Sequence, residues 1–333
     1  MLTFLRRLPV PLAGVSIVAV LGLAHGIGPW GLLGAIWTGA WGDGEAALAT
    51  LAKLTPLLLT GLAVALAYRI RLLNIGCEGQ LVLGALAAGV TGVHCGGLPT
   101  AAALLLPVAV GAVMGAAWAF PAVWLRQRTG AHEVLTTLIL NYVAVYFSEF
   151  LVLGPLGDGT ALGRTAAVAD PARWPNLVEE GASGLTAAPF LALLLCGAVQ
   201  TWLSRTVGGY EVTASGSNET AAALAGIPVP KLQRRIFLAS GGLAGLAGSL
   251  EVVAVHERFY RAFSPGYGFD GITAAFLVNG SPGWLWLSGL ILATLRSADK
   301  WLQLALGISP GAIWIMQAVL LLAAACRLRA PSR

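Results

Sequence analysis

The sequence predicts an all-α, polytopic membrane helical bundle, and two observations carry that reading. Of 333 residues, 57% are hydrophobic and 11% are charged, against roughly 25% charged in soluble domains. Arg and Lys also collect in short stretches between long apolar runs, as the positive-inside rule requires of a multi-pass chain. The expectation is a single transmembrane domain over residues 1–333, with about ten transmembrane helices and both termini cytoplasmic.

Taken in order, Arg6 and Arg7 precede a first, uncleaved span at Leu8–His25. Residues Gly26–Ala49, Gly- and Trp-rich with Asp43 and Glu45, read as external. Spans follow at Leu51–Tyr68, closed by Arg69 and Arg71, at Asn74–Val93, and at Thr100–Leu125, closed by Arg126 and Arg128. The fifth is His132–Leu151. Leu153–Ala187 is the largest polar segment, with Asp158, Asp170, Glu179 and Glu180, and reads as external. Span six, Ala188–Leu203, leads into a cytoplasmic loop over about residues 204–235, and span seven is Ile236–Val255. His256–Pro265 reads as external. A short segment, Tyr267–Val278, turns at the NGSPG run, before spans nine, Trp284–Asp299, and ten, Ser309–Cys326.

Thirteen of the 20 Arg and Lys residues fall inside on this map, which supports it. The short segment has to cross, as a short or broken helix, or the C-terminal Arg327, Arg329 and Arg333 would lie outside. The 43 glycines suit close helix packing in lipid and the 11 tryptophans suit interfacial belts. The net charge of +5 sits in loops beside spans, so it points to the membrane and not to nucleic acid. Cys77, Cys95, Cys196 and Cys326 show neither metal spacing nor a disulfide framework.

The cytoplasmic loop contains a polar, small-residue run between two membrane spans. Ser217 or Asn218 can N-cap a helix of about three turns, with Glu219 in its first turn where the dipole favours an acid. Gly226 and Pro228 end it. Such a helix is either a docking element or a plain loop helix on the lipid surface. Two further places put Gly beside a carboxylate at the head of a helix: NIGCEGQ, residues 74–80, and GFDGIT, residues 268–273. One begins on the cytoplasmic side and one on the external side, the pattern of an inverted repeat. Glu78 and Asp270 either cap these helix starts or hold the broken helices of a pathway. Thr136, Thr137 and Asn141 fall near one face of span five. They read either as packing glue between helices or as lining of the path. No carboxylate–cation pair lies well inside a predicted span.

The runs SNETAAALAGIPVPK and LASGGLAGLAGSLEV resemble the coupling loop of permease subunits of ABC importers. LLNIGCEGQLVLGA, HEVLTTLILNYVA and SPGYGFDGITAAFLVNGSP extend the resemblance over about Leu54–Gly289. The chain is most similar to the longer permease of simple-sugar and nucleoside importers, in the branched-chain amino acid, ribose and nucleoside permease superfamily. The resemblance implies docking of the loop helix on an ATP-hydrolysing subunit through Ser217, Asn218, Glu219, Ala221, Ala222, Ala225, Gly226 and Ile227. It implies a second permease, expected to differ from this one, and an external substrate-binding protein or lipoprotein. Asn74, Glu78, Gln80, Thr137, Asn141, Phe269 and Asp270 are the expected pathway residues. The expected location is the inner, or cytoplasmic, cell membrane, in contact with lipid.

Catalytic motifs are missing: there is no GxxxxGK[ST], no HExxH and no GxSxG. Neither an enzyme activity, a cofactor nor a metal is expected of this chain. The rival reading is an ion-coupled secondary transporter of a small polar solute, which would share broken helices and an inverted repeat.

Overall fold

The computed structural model describes residues 26–309, with residues 20, 311, 314–316, 318–319 and 321–322. The predicted span Leu8–His25 lies almost wholly, and Ser309–Cys326 largely, outside the described residues. The helices are α1 Pro29–Trp41, α2 Gly44–Ala52, α3 Leu54–Tyr68, α4 Cys77–Val93, α5 Thr100–Thr129 and α6 Glu133–Leu153. A segment follows that holds a 3₁₀ turn, Asp170–Ala172, and an antiparallel hairpin, β1 Val178–Glu180 with β2 Ser183–Leu185. Then come α7 Ala188–Arg205, α8 Val207–Ser217, α9 Glu219–Leu224, α10 Val229–Glu251, a π-helical turn Val252–His256, α11 Tyr267–Leu277 and α12 Leu285–Leu306.

By length and apolarity four described stretches can cross a membrane: Gly44–Tyr68, Thr100–Thr129, Glu133–Leu153 and Val229–His256. Two more are bent pairs, α7 with α8 at 78° and α11 with Pro282–Leu306 at 105°. The chain is therefore a multi-pass helical membrane protein, with four to six such spans among the described residues where the sequence suggested about ten.

Helix α6 shows the membrane character most directly. Its buried residues, Glu133, Thr137, Asn141, Ala144, Ser148 and Val152, recur at helical spacing and are mostly polar or small. Its exposed residues include Leu135, Ile139, Tyr142, Tyr146 and Phe150. Polar side chains inside and large apolar ones outside invert the pattern of a water-soluble helix.

The interior is built on α3, which is buried at every residue from Leu54 to Ala67, as an all-round apolar helix must be. Beside it α4, α5 and α10 meet through glycine. A Cβ added at Gly84, Gly115, Gly241, Gly245 or Gly248 would collide with the facing backbone or with an alanine. Gly111–Gly115 and Gly241–Gly245 are each spaced four apart, the small-xxx-small arrangement that lets membrane helices touch along their backbones.

Residues 26–49, read from sequence as an external loop, form α1 and most of α2. Pro29 starts α1 without losing a needed N–H, and Asp43 Oδ1 caps α2 by accepting from Ala46 N at 2.7 Å. Gly39 there is a helix contact and not a turn, packing against Ala298 and Trp301 of α12. The helix after the loop expected to be cytoplasmic also begins earlier than predicted, at Val229, so Lys231, Arg234 and Arg235 lie within α10.

Segments assigned to one side by sequence touch one another. Thr165 N donates to Phe259 O at 2.9 Å, Val168 N to Glu257 O at 2.8 Å, and Arg261 N to Gly163 O at 2.8 Å. At the other end Arg71 donates to the carbonyls of Gly216 and Ser217, and Gln127 Nε2 to Pro230 O at 2.6 Å.

The backbone contact makes a prediction. Gly245→Leu forces α10 away from α4 and α5 and destabilises by roughly 1–3 kcal/mol or more. Gly97→Leu, at a site where an added Cβ meets nothing within 4 Å, is the control. Thermal unfolding of the purified chain in detergent compares them; equal midpoints would refute the packing argument.

Candidate functional site

The candidate site begins where two helices start head to head. Helix α4 has 17 residues and α11 has 11, so at 1.5 Å per residue each falls short of a hydrocarbon core of about 30 Å. Their N-termini abut: a Cβ on Gly268 would collide with the backbone of Cys77 and Glu78. From this point α4 runs toward Val168 and Ala169, at the end of the bundle holding the 153–187 segment. Helix α11 runs the opposite way, to Gly280 beside Tyr68 at the end of α3. The short segment Tyr267–Val278 is thus a half-helix joined at a sharp bend to α12.

Glu78 joins the two starts. Its Oε2 accepts from Gly268 N at 2.7 Å, so this α4 side chain caps α11 and not its own helix. Two positive helix ends converge on one carboxylate, a placement worth up to about 2 kcal/mol per helix in partly buried geometry. Ser264 Oγ accepts from Gly266 N and Tyr267 N, both at 3.2 Å, completing the cap. Gly266, with φ of +101°, makes the turn into α11. Thr60 Oγ1, halfway along α3, donates to Tyr267 O at 3.0 Å and anchors the same turn.

Asn74, Gln80, Asn141 and Ser240 form a second buried group. Asn74 Nδ2 donates to Gln80 Oε1 at 2.8 Å and to Ser240 Oγ at 2.9 Å. Gln80 Nε2 returns a bond to Asn74 Oδ1 at 3.0 Å. Asn141 Oδ1 accepts from Gly79 N at 2.9 Å, while its Nδ2 donates to Ile75 O at 2.8 Å. These side chains satisfy the start of α4 and fix it to α6 and α10. Thr137, buried one turn before Asn141, bonds back to Glu133 O at 2.8 Å. Thr136 is only half-buried and bonds to His132 O, off the buried stripe. Phe269 is 41% exposed and stands apart from this network.

The expectation of no charge pair inside a span needs correction. Asp270 Oδ2 accepts from Arg296 Nε at 2.6 Å, and both side chains are at most 10% exposed. Asp270 does not cap α11; it ties α11 to α12. Arg296 was missed because the ninth span was expected to end at Asp299, which placed it near the boundary, whereas α12 continues to Leu306. The guanidinium also stands over the Tyr267 ring, 6.0 Å from its centre.

The turn that the sequence assigned to the cytoplasm differs in detail from that reading. Residues through Ser217 belong to α8, which Thr206 caps by accepting from Gly209 N at 3.1 Å. Asn218, not Ser217, caps α9, accepting from Ala221 N at 3.0 Å. Helix α9 spans six residues where about three turns were expected. Gly226 at φ of +87° turns the chain toward α10. Glu219 accepts from Gln233 Nε2 at 2.9 Å, tying α9 to α10. Ala222 is 4% exposed and packs inward, so it lies off the outer surface. Ala221 and Ala225 are exposed, and Ile227 is half-buried. Leu224, 86% exposed, is the most prominent apolar side chain of the turn and was not singled out from sequence. A large apolar residue at the tip of a short polar helix is the cue that could have found it.

Half-helices with polar starts, enclosed in an apolar-shelled bundle, define the class as a multi-pass membrane transport protein. The family profile described as the branched-chain amino acid transport system / permease component matches residues 46–325, and the chain belongs to that family. It is 36% identical to the glucose ABC transporter permease protein TsgB13 of Haloferax volcanii, over 82% of this chain and 74% of that one. It is 32% identical to the guanosine ABC transporter permease protein NupP of Bacillus subtilis, over 96% and 93%. The nucleoside ABC transporter permease protein NupB of Lactococcus lactis is 28% identical, over 88% and 84%.

Removing one member of the buried pair leaves the other charge uncompensated. Arg296→Leu is expected to destabilise by about 3–5 kcal/mol. The double variant Asp270→Leu with Arg296→Leu is expected to recover most of that loss. Melting midpoints of the purified variants provide the test, and a double variant no better than the single would show that the pair is not coupled.

Proposed function

We propose that this chain is one of two permease subunits of an ATP-driven importer in the inner, or cytoplasmic, cell membrane, carrying nucleosides or a simple-sugar-like solute. The solute class follows the names of the relatives. The observation that carries the coupling mechanism is the exposed α8–α9 turn, tied back to the bundle by Arg71. An ABC ATPase subunit seats against Leu224, Ala221 and Ala225, with Asn218 and Gly226 shaping the turn. Haloferax volcanii and Lactococcus lactis each hold two permeases similar to this chain, which favours a heterodimer here. An external binding protein or lipoprotein delivers the solute to the face formed by residues 153–187.

In this reading both termini and the loop over residues 204–235 are cytoplasmic, and α4 and α11 are the matching half-helices of an inverted repeat. ATP binding draws the nucleotide-binding subunits together and moves α8 and α9. Arg71 carries that movement to α3, and Thr60 carries it to the start of α11. Glu78, Asp270 and Phe269 stand at the junction whose rearrangement opens the path. Asn74, Gln80, Thr137 and Asn141 hold the α4 side of its wall.

Two outcomes are expected. Uptake of guanosine or glucose by cells requires ATP, and an ATPase and a second permease co-purify with the chain from native membranes. Leu224→Glu lowers recovery of the ATPase about tenfold or more, equivalent to losing one interface anchor of about 1.4 kcal/mol, at unchanged membrane abundance. Full recovery with Leu224→Glu and with Ala225→Arg would remove the turn from the docking surface. Single cysteines at Thr220 and Asn176 should react with an impermeant reagent from the cytoplasmic and external sides respectively; the reverse would overturn the topology.

A further inference from the structure

At the end of the bundle opposite the α8–α9 turn lies a cavity of about 380 Å³, within the roughly 300–1,000 Å³ typical of small-molecule sites. Glu251, His256, Lys53, Tyr267, Trp174 and Asn176 are among its walls. Glu251 is 4% exposed. Its one ion-pair partner among the described residues is His256, whose Nε2 stands 3.5 Å from Oε2, beyond normal hydrogen-bond length. A carboxylate so enclosed and so weakly partnered is costly, and within a membrane bundle it marks function.

The backbone beside it is also unusual. Directly after Glu251 the α-helix widens into the π-helical turn Val252–His256, a feature concentrated at functional sites. The turn ends at Glu257, a non-glycine residue at φ of +55°. It is held there by Trp174 N donating to Val253 O at 2.9 Å and by Arg173 at 3.1 Å from the Glu257 carboxylate. The Trp174 indole is fixed in turn by its bond to Leu104 O at 3.3 Å. Local strain of this kind, stabilised by surrounding contacts, shapes the cavity wall.

The chemistry of the walls selects a class of ligand. Glu251 is an acceptor, Lys53 is a cationic donor already bonded to Ser297 Oγ at 2.9 Å, and Tyr267 and His256 can do either. Charges of both signs on one cavity disfavour a simple ion. Aromatic faces from Trp174 and Tyr267 suit the C–H face of a ring, and a carboxylate accepts from two adjacent hydroxyls at once. We propose that this cavity is a solute site within the permease that takes a neutral, polyhydroxylated ring, with Glu251 accepting hydrogen bonds from neighbouring hydroxyls. The proposal rests on the reading that the importer carries nucleosides or sugar-like solutes.

The test uses the assembled importer, purified with its ATPase and second permease but without a delivery protein. Its four native cysteines are replaced and Asn176→Cys is introduced. Guanosine and glucose are the probes, and the readout is the rate of alkylation of that cysteine. At least one probe should slow labelling. 2′,3′-Dideoxyguanosine, which lacks the two neighbouring ribose hydroxyls, should protect far less than guanosine, and this comparison needs no change at Glu251. Glu251→Gln, similar in shape, should raise the half-protecting concentration about tenfold or more, as loss of charge-assisted bonds implies. Equal protection by guanosine and its dideoxy analogue overturns the hydroxyl contact. No protection by either probe, in an importer whose cells take up guanosine or glucose, overturns the site and leaves the importer reading standing. Cells that take up neither solute overturn the importer reading, and the site with it.

Discussion

The bond from the Gly268 amide to the Glu78 carboxylate is the contact on which the interior depends. It lets two helices end inside the bundle without leaving bare amide groups at their starts. An unsatisfied backbone donor in apolar surroundings costs several kcal/mol, so two unfinished helices need such a cap. The Asn74–Gln80–Asn141–Ser240 group does the same work for α4, and Ser264 and Thr60 for α11. The Asp270–Arg296 pair then fixes α11 to α12.

Around that junction the bundle closes through contacts of two kinds. On one side α4, α5 and α10 touch through glycine, with almost no side chain between them. On the other, α3 is buried for nearly its whole length and meets α11 at Thr60, while Arg71, just past its end, bonds to α8. The α8–α9 turn and the half-helix junction are therefore linked by one packed element, the first just past its end and the second at its middle. A stiff, fully packed helix transmits a displacement at one end to the other with little loss, because close-packed interiors resist compression.

Much of this was legible in the sequence, and the misses have physical reasons. NIGCEGQ and GFDGIT announced two broken helix starts through glycine beside acid, but the sequence set them on opposite sides of the membrane, whereas the structure places them in contact. What pattern cannot show is which helix a side chain caps: Glu78 serves α11 across 190 positions of sequence. Glycine and tryptophan in residues 29–41 read as loop, because the helix partner that makes those glycines useful, α12, lies far along the chain. Arg296 was set aside because span ends follow from hydropathy, and a single arginine shortens the apparent span. Ala222, expected on the docking surface, faces inward, and Leu224 stands out instead, for a similar reason. In a six-residue helix the inward face is decided by what the turn folds against, and no periodicity is long enough to reveal it.

The closeness of Gly268 to the backbone of α4 also limits how such permeases can diversify. No side chain of any size can stand at that position without parting the two half-helices, so position 268 itself offers no purchase for selection to tune solute preference. Variation that distinguishes a glucose carrier from a guanosine carrier has to accumulate elsewhere, on surfaces where side chains of different size and polarity can be exchanged freely. The same frame can then serve many solutes because the contact at its centre is made by backbone, which every such sequence shares.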